Sequence, residues 1–392
     1  MNARLLPLAA LVACSAPDAS SLRNQVEVVI DADDASTSQR FVDLIDSASS
    51  TLQVALPQNP ETGELPGFDP AIGDAIISAA NRGVEVEVVS DVDANGDAVI
   101  EALQDADIAV TLADSDMAYF EFSTNEDVGW PSEDVMMSHA FVLADTTKFL
   151  NATRLGGLDG QRVIFSGANE DLGIDLASEF RQVFGGTDAT AMDAYSAPAK
   201  NIADNRWRYG TSTDADLEVW FGPQERLIKR LIDSVYGARV SVKILTDEFS
   251  NDGLAIALQD KAEDGFDIQV VVGPRYTAEV CGAAKAGEVL FEDTDDVEKL
   301  HITDAISIPT IVLVDIEGGK NTTRRAFVLS HDLVNAARFY RGNEVRTDQL
   351  IDGNLWVLDD WGTPSPMFDP LIAAWDEYSA LGTEIPSDWC TE

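Results

Sequence analysis

The chain has 392 residues, with 26 Lys plus Arg against 69 Asp plus Glu and a formal charge of −43; 45% of residues are hydrophobic and 8% aromatic. That much apolar material builds a buried core, so wholesale disorder is excluded, and the length fits about two domains of ordinary size. A surface this negative lacks the surplus of cations needed to displace phosphate counterions, which excludes nucleic acid as a natural partner.

The first residues read as an address. Arg4 precedes an apolar run from Leu5 to Ala13, the layout of an export signal. The run closes on Leu11-Val12-Ala13-Cys14, which is similar to a bacterial lipobox, and small polar residues follow over 15–21. The expectation is a signal peptide over 1–13, an acylated Cys14 and a lipidated tether over 14–25. The protein would then be exported and anchored to the bacterial cell envelope, at the outer membrane or cell surface, with a periplasmic or secreted form as the alternative. Membrane contact would run through the lipid alone, because no internal stretch reaches the roughly 18 apolar residues of a spanning helix. Cys281 and Cys390 then remain, a pair that an oxidising compartment permits to bond and whose spacing says nothing of geometry.

Self-similarity organises the rest. A strand at Glu27–Ile30, a helix-period segment from Phe41 and a strand from Leu52 are matched by a strand from Glu218, a helical segment from Leu227 and a strand from Val240. The shared Leu-Ile-Asp-Ser at 44–47 and 231–234 aligns the two helices. Residues 75–91 then match 255–273: a helix, a terminating Gly (Gly83, Gly265) and a β-branched run with the character of a strand buried on both faces. Phe141–Asp145 matches Ile311–Asp315, and Val163–Asn169 matches Ala326–Asp332. Four paired blocks in one order predict two copies of an α/β unit, at 26–188 and 217–385. The segment 189–216, with Pro198 and no sustained apolar period, reads as a linker. The Pro-bearing stretches 58–70 and 362–370 read as loops.

This order of helix, Gly-ended turn, buried strand, x-F-V-L-x-D and S/G-x-N resembles the phospholipase D superfamily over about 25–190 and 217–385. The resemblance implies an α/β fold of two repeats, each a mixed β-sheet flanked by helices, related by a pseudo-twofold axis. It also implies that each half gives one H-x-K-x(4)-D motif to a shared site for phosphodiester cleavage or phosphatidyl transfer. One His is the nucleophile, the other the general acid, and the lysines neutralise phosphate oxygens. Carried across residue by residue, the motif is degenerate. Ser138 stands at the first His position, Ala140 at the Lys and Asp145 at the Asp; Ile308, Thr310 and Asp315 stand at the same places in the second half. The downstream G-S-x-N becomes Ser166-Gly167-Ala168-Asn169 and Leu329-Ser330-His331-Asp332, which marks Asn169, Ser330, His331 and Asp332 as cleft candidates. An N-x-E-like element persists only as Asn343-Glu344 in the second half.

The chemistry needs a group that carries the phosphoryl intermediate and a group that protonates the leaving oxygen. Ala140 and Ile308 do neither, and the electrostatic clamp of the lysines is gone. The expectation is therefore a catalytically silent binding or structural module, a monomer whose inter-repeat cleft takes a neutral or cationic ligand or none. The alternative is a phosphodiesterase working through Ser138 and Thr310. His139, His301 and His331, the three histidines, all fall near the motifs, but strand alternation turns His139 away from Ser138 and Ala140. No cofactor is expected, with one exception: Asp91, Asp93, Asn95 and Asp97, with Gly96, open like a calcium loop, although Ala102 stands where a closing Glu belongs. Arg206, Trp207, Arg208 and Tyr209 form a local basic–aromatic spot that reads as a linker docking on the core.

Overall fold

The computed structural model describes residues 24–57, 68–91, 94–113, 137–155, 161–184, 209–210, 215–222, 225, 227–247, 249, 251–273, 300–302, 308–319, 322–333, 339–341, 344–346, 353–360 and 365–384. The first repeat runs β1 (Asn24–Asp31), α1 (Asp34–Asp46), β2 (Thr51–Leu56), α2 (Pro70–Asn81), β3 (Glu85–Asp91), α3 (Ala98–Asp105), β4 (Ala109–Ala113), β5 (Ala140–Ala144), β6 (Lys148–Ala152), β7 (Arg162–Asn169) and α4 (Glu170–Phe184). The second runs β8 (Tyr209–Gly210), β9 (Ala215–Phe221), α5 (Leu227–Tyr236), β10 (Ser241–Thr246), α6 (Asp252–Glu263), β11 (Asp267–Val272), β12 (Leu300–Ile302), β13 (Thr310–Val314), β14 (Arg324–Leu329), β15 (Phe339–Arg341), β16 (Glu344–Arg346), β17 (Asn354–Asp360), α7 (Asp369–Leu381) and β18 (Thr383–Glu384).

The two main sheets share one plan. The first has the order β1-β7-β6-β5-β2-β3-β4, and the second β18-β12-β11-β10-β13-β14-β17-β9-β8. Reading both from β1 and β9 outward, each strand has a counterpart: β7 with β17, β6 with β14, β5 with β13, β2 with β10, β3 with β11, β4 with β12. The parallel pairings fall in matching places, β2 with β3 and β3 with β4 against β10 with β11 and β11 with β12. The strands from the duplicated blocks are apolar on both faces because both faces are covered. Phe141 and Leu143 of β5 and Ile311 and Leu313 of β13 point into a central core that also takes α4 and α7. Ala140, Val142 and Ala144 face α1, α2 and α3, and Val312 and Val314 face α5 and α6. The two repeats thus meet face to face, with α4 and α7 between the sheets and the remaining helices outside.

Local chemistry sets the helix ends. Asp33, Asp97 and Asn251 cap α1, α3 and α6 by accepting from backbone N–H groups, and Asp69 caps α2 just before Pro70. Gly83 and Gly265 sit at φ 89° and 82°, the left-handed conformation that stops α2 and α6 and turns the chain into β3 and β11.

Two expected alignments are corrected by this register. Ser47 N–H bonds to Asp43 O and Ala48 N–H to Ile45 O, and the same bonds recur from Gly237 to Asp233 and from Ala238 to Val235. Leu44 is therefore the counterpart of Ser234, and the shared Leu-Ile-Asp-Ser is three residues out of step. The block Val163–Asn169 lies on β7, whose counterpart is β17, whereas Ala326–Asp332 lies on and just after β14, whose counterpart is β6. Two boundaries also move. The first strand begins at Asn24, inside the expected tether, and Tyr209–Gly210 and Ala215–Asp216 of the expected linker pair into the second sheet. Extension of the sheet edges draws these flanking residues into the ladders. Cys14, Cys281 and Cys390 lie outside the described residues.

Candidate functional site

The surviving aspartates of the two motifs hold the scaffold together. Asp145 follows β5 with φ 52° and Asp315 follows β13 with φ 58°, a backbone conformation that Asp tolerates better than most residues. Asp145 accepts from Ser49 N–H at 3.0 Å, Ser50 N–H at 2.7 Å and the hydroxyls of both serines. Asp315 accepts from Arg239 N–H at 2.9 Å, Val240 N–H at 2.7 Å and Ser241 N–H at 3.1 Å. Each carboxylate thus pins the turn that leads from the first helix of its repeat into the next strand. Burial works to raise the Asp145 pKa, but the hydrogen bonds from Ser49 and Ser50 outweigh it and hold the group at about 2.

The other motif positions converge on the seam between the repeats. Ser138 and Ser330, from opposite repeats, share a hydrogen bond of 2.8 Å, and both are buried. The Ser330 Oγ also accepts from Asn354 N–H at 2.9 Å. Gly353 lies against this pair so closely that a Cβ there would stand 2.5 Å from Ser138 Oγ, 2.6 Å from Ser330 Oγ and 2.8 Å from His331 Nδ1. Only glycine fits. Thr310 Oγ1 donates to Asp332 Oδ1 at 2.9 Å, with Thr246 Oγ1 3.1 Å from it, while Ala140 and Ile308 are fully buried among apolar neighbours. The seam brings together Ser138, Ser330, His331, Thr310 and Asp332 but is packed shut at Ser138 and Gly353.

Asn169 is not part of this seam. Its N–H bonds to Thr147 O and its Oδ1 accepts from Leu172 N–H at the start of α4, at the end of the sheet that holds Asp145. The true first-repeat counterpart of Ser330 is Thr153, past the end of β6. Thr153 Oγ1 accepts from Val163 N–H at 3.1 Å, as Ser330 Oγ accepts from Asn354 N–H, and the backbone bonds Thr153 N–H to Val163 O and Ser330 N–H to Asn354 O repeat the symmetry. A search for a hydroxyl at the end of the strand directly after the x-F-V-L-x-D block finds it.

Groups that sequence reasoning missed bridge the repeats. Arg154 reaches Asp247 at 3.2 Å and Asp332 at 3.4 Å. Asn354 Nδ2 donates to Asn151 Oδ1 at 3.0 Å and lies 3.4 Å from His139 Nδ1, and His139 Nε2 lies 3.3 Å from Glu179 Oε1 inside the core. His139 lies beside Phe141, Phe221 and Glu179, on the side of the strand opposite Ala140, as alternation predicts. His331, by contrast, has both ring nitrogens buried without a hydrogen-bond partner. Burial, with the neighbouring His139 adding to it, pushes its pKa down to about 3, so at neutral pH it is an uncharged ring and a weak base. His301 lies on β12, paired with β11 and β18, three strands away from β13.

The calcium-like loop divides its acids among backbone partners. Asp91 accepts from Met137 N–H at 3.0 Å and Asp97 caps α3 through Val99 N–H at 2.8 Å. Asn95 lies in the turn before Gly96, and Asp93 lies outside the described residues. Among the described residues no three His, Cys, Asp or Glu side chains gather to hold a metal ion, and no helix is long and apolar enough to cross a membrane. Asn343 lies outside the described residues, and Glu344 opens β16.

No protein-family model and no curated protein matches the sequence. Solved structures do match. A phosphatidylserine synthase from Haemophilus influenzae superposes with a TM-score of 0.62 at 12% identity, covering 92% of this chain and 87% of its own. A polyphosphate kinase from Porphyromonas gingivalis superposes with a TM-score of 0.60 at 13% identity; it covers 99% of this chain, which spans 53% of that longer protein. Both are phospholipase D superfamily structures. The chain shares the fold of these two structures, a phospholipase D-like architecture. At these identities the phospholipase D likeness is one of architecture, two mixed α/β repeats in the expected order, and the chemistry of the seam has to be argued from the side chains that occupy it.

Proposed function

We propose that the protein is a phospholipase D-like module that has lost the superfamily's phosphodiester chemistry and acts as a binding or structural component of the bacterial cell envelope, exported and held there by a lipid on Cys14. The observation that carries this reading is the Ser138–Ser330 hydrogen bond of 2.8 Å closed over Gly353. A phosphodiester needs room, a nucleophile with a competent base, a proton donor and cations at this place. The seam offers a hydroxyl tied to another hydroxyl, a buried imidazole with a pKa of about 3, and no lysine at Ala140 or Thr310. The alternative, a hydrolase using Ser138 as nucleophile, gains from the convergence of Ser138 and His331 on Gly353, but the described residues give Ser138 a serine partner and His331 a lowered pKa in place of a competent base.

The test is hydrolysis of a chromogenic phosphodiester and of phosphatidylcholine by the purified protein. The expected result is no release of product above the buffer rate. Turnover that disappears in Ser138→Ala would overturn the proposal. The anchor is checked separately by fractionation, with Cys14→Ala expected to move the protein from membrane to soluble fractions.

A further inference from the structure

The repeats differ on their outer faces in one place. In the second repeat Arg230 of α5 lies 5.5 Å over the Trp220 ring and donates to Glu218 Oε2 at 3.1 Å, and Arg325 of β14 donates to Asp359 Oδ1 at 2.8 Å. Both cations are held by carboxylates of the neighbouring strands β9 and β17. The register names their counterparts. Lys148 stands opposite Ala168 as Arg325 stands opposite Asp359, and Val29 stands opposite Ile164 as Trp220 stands opposite Leu355. The bonds that end α1 and α5 put Arg40 in the place of Arg230. The first repeat therefore keeps both cations and, in Glu27 across from Ser166, the counterpart of Glu218 across from Val357, while Ala168 replaces the carboxylate of Asp359 and Val29 replaces the indole of Trp220.

Beside Lys148 and Ala168 lies a groove of about 700 Å³ whose walls also include Arg40, Leu44, Leu150 and Gly167. Its cations are loosely engaged. Arg40 Nε lies 3.7 Å from Asp31 and Lys148 Nζ 3.8 Å from Asp145, both beyond hydrogen-bonding distance, with side chains 37% and 43% exposed. Lys148 also reaches the carbonyl of Ser47 at 3.3 Å. Two acids share the rim, Asp43, which accepts from Gln39 at 2.8 Å, and Glu170. Neither occupies the position across from Lys148 that Asp359 fills in the twin repeat.

We propose that this groove binds a small amphiphilic carboxylate, its charged end beside Lys148 where the second repeat holds its own Asp359, and its apolar tail along Leu44, Leu150 and Gly167. The volume suits a small ligand, and the carboxylate would make the charge-assisted hydrogen bonds that the twin repeat makes internally. The groove lies at the Asp145 end of the first sheet, away from the seam, so the outcome of its test is independent of the phosphodiester assay.

The experiment titrates octanoate into the full chain and follows heat or amide shifts. Saturable binding is expected, weakened about tenfold or more, on the order of 1.4 kcal/mol, in Ala168→Asp, which supplies the missing carboxylate from within. Lys148→Ala should weaken it likewise and guards against a folding defect in the first variant. Octanol and acetate, which carry only tail or only charge, should each bind at least about tenfold more weakly. No saturable octanoate binding, binding by either variant as tight as that of the parent protein, or octanol or acetate binding as tight as octanoate would each overturn the proposal.

Discussion

The Ser138 hydroxyl lies 2.8 Å from the Ser330 hydroxyl, so the two repeats touch through a pair of serines with Gly353 wedged against both. Gly353→Ala would push a methyl group into both hydroxyls and the His331 ring. The expected cost is about 1–3 kcal/mol of overpacking, read as a lower urea midpoint with an unchanged slope. Adding Ser138→Ala removes one of the colliding oxygens, so the double variant should lose less than the sum of the two single losses. Strict additivity would show that the seam is looser than the packing described.

The Asp145 carboxylate gives a pH signature. Its folded pKa of about 2 lies below the ordinary 3.8. Its contribution is therefore fully present above pH 3.8 and is lost as the pH falls from there through about 2. With solvent screening of this partly exposed group, the difference corresponds to about 1 kcal/mol. Asp145→Asn should flatten the stability curve in that window, and chemical denaturation at successive pH values measures it. An unaltered acid limb in the variant would contradict the clamp.

His331 acts higher on the pH scale. A pKa lowered from 6.5 to about 3 means that the unfolded chain takes up a proton the folded one refuses. Stability is full above pH 6.5 and declines as the pH falls towards 3, by as much as about 5 kcal/mol at the bottom of the range. His331→Leu should abolish the part of the decline between pH 6 and 4, where Asp145 does not yet titrate. Equal acid sensitivity in the two proteins would rule this origin out.

Arg154 crosses the seam to Asp247, which is fully buried, and to Asp332. Its removal takes a cation from two carboxylates at the seam, one of them fully buried, so Arg154→Ala is expected to cost about 3 kcal/mol. Arg154→Lys should recover only part, because an ammonium lacks the planar fork that spans two acids. Equilibrium urea unfolding of the three proteins tests both statements.

Much of the architecture was legible in the sequence because buried strands such as 140–144 and 310–314, and the glycines that end α2 and α6, carry their physics in composition. Register was harder. A three-residue slip along a helix keeps most of an apolar stripe facing inward, so Leu-Ile-Asp-Ser at 231–234 looked aligned when Leu231 is the counterpart of Phe41. Adjacent strands β6 and β7 are both apolar, and Val163–Asn169 drew the match that belongs to Lys148–Ala152. Ser138, Thr310 and the two aspartates were placed by the motif spacing. Gly353, Asn354 and Arg154 were not, since their roles arise from the apposition of two repeats and leave no local periodicity.

Trp356 of β17 is fully buried, stacked 4.5 Å from the Phe165 ring and 5.8 Å from the Phe149 ring. An indole from one half thus stacks against two phenyl rings of the other, so in a variant that keeps Trp356 and replaces the other six tryptophans its light emission is a built-in optical gauge of whether the halves are docked, readable in solution without any attached label.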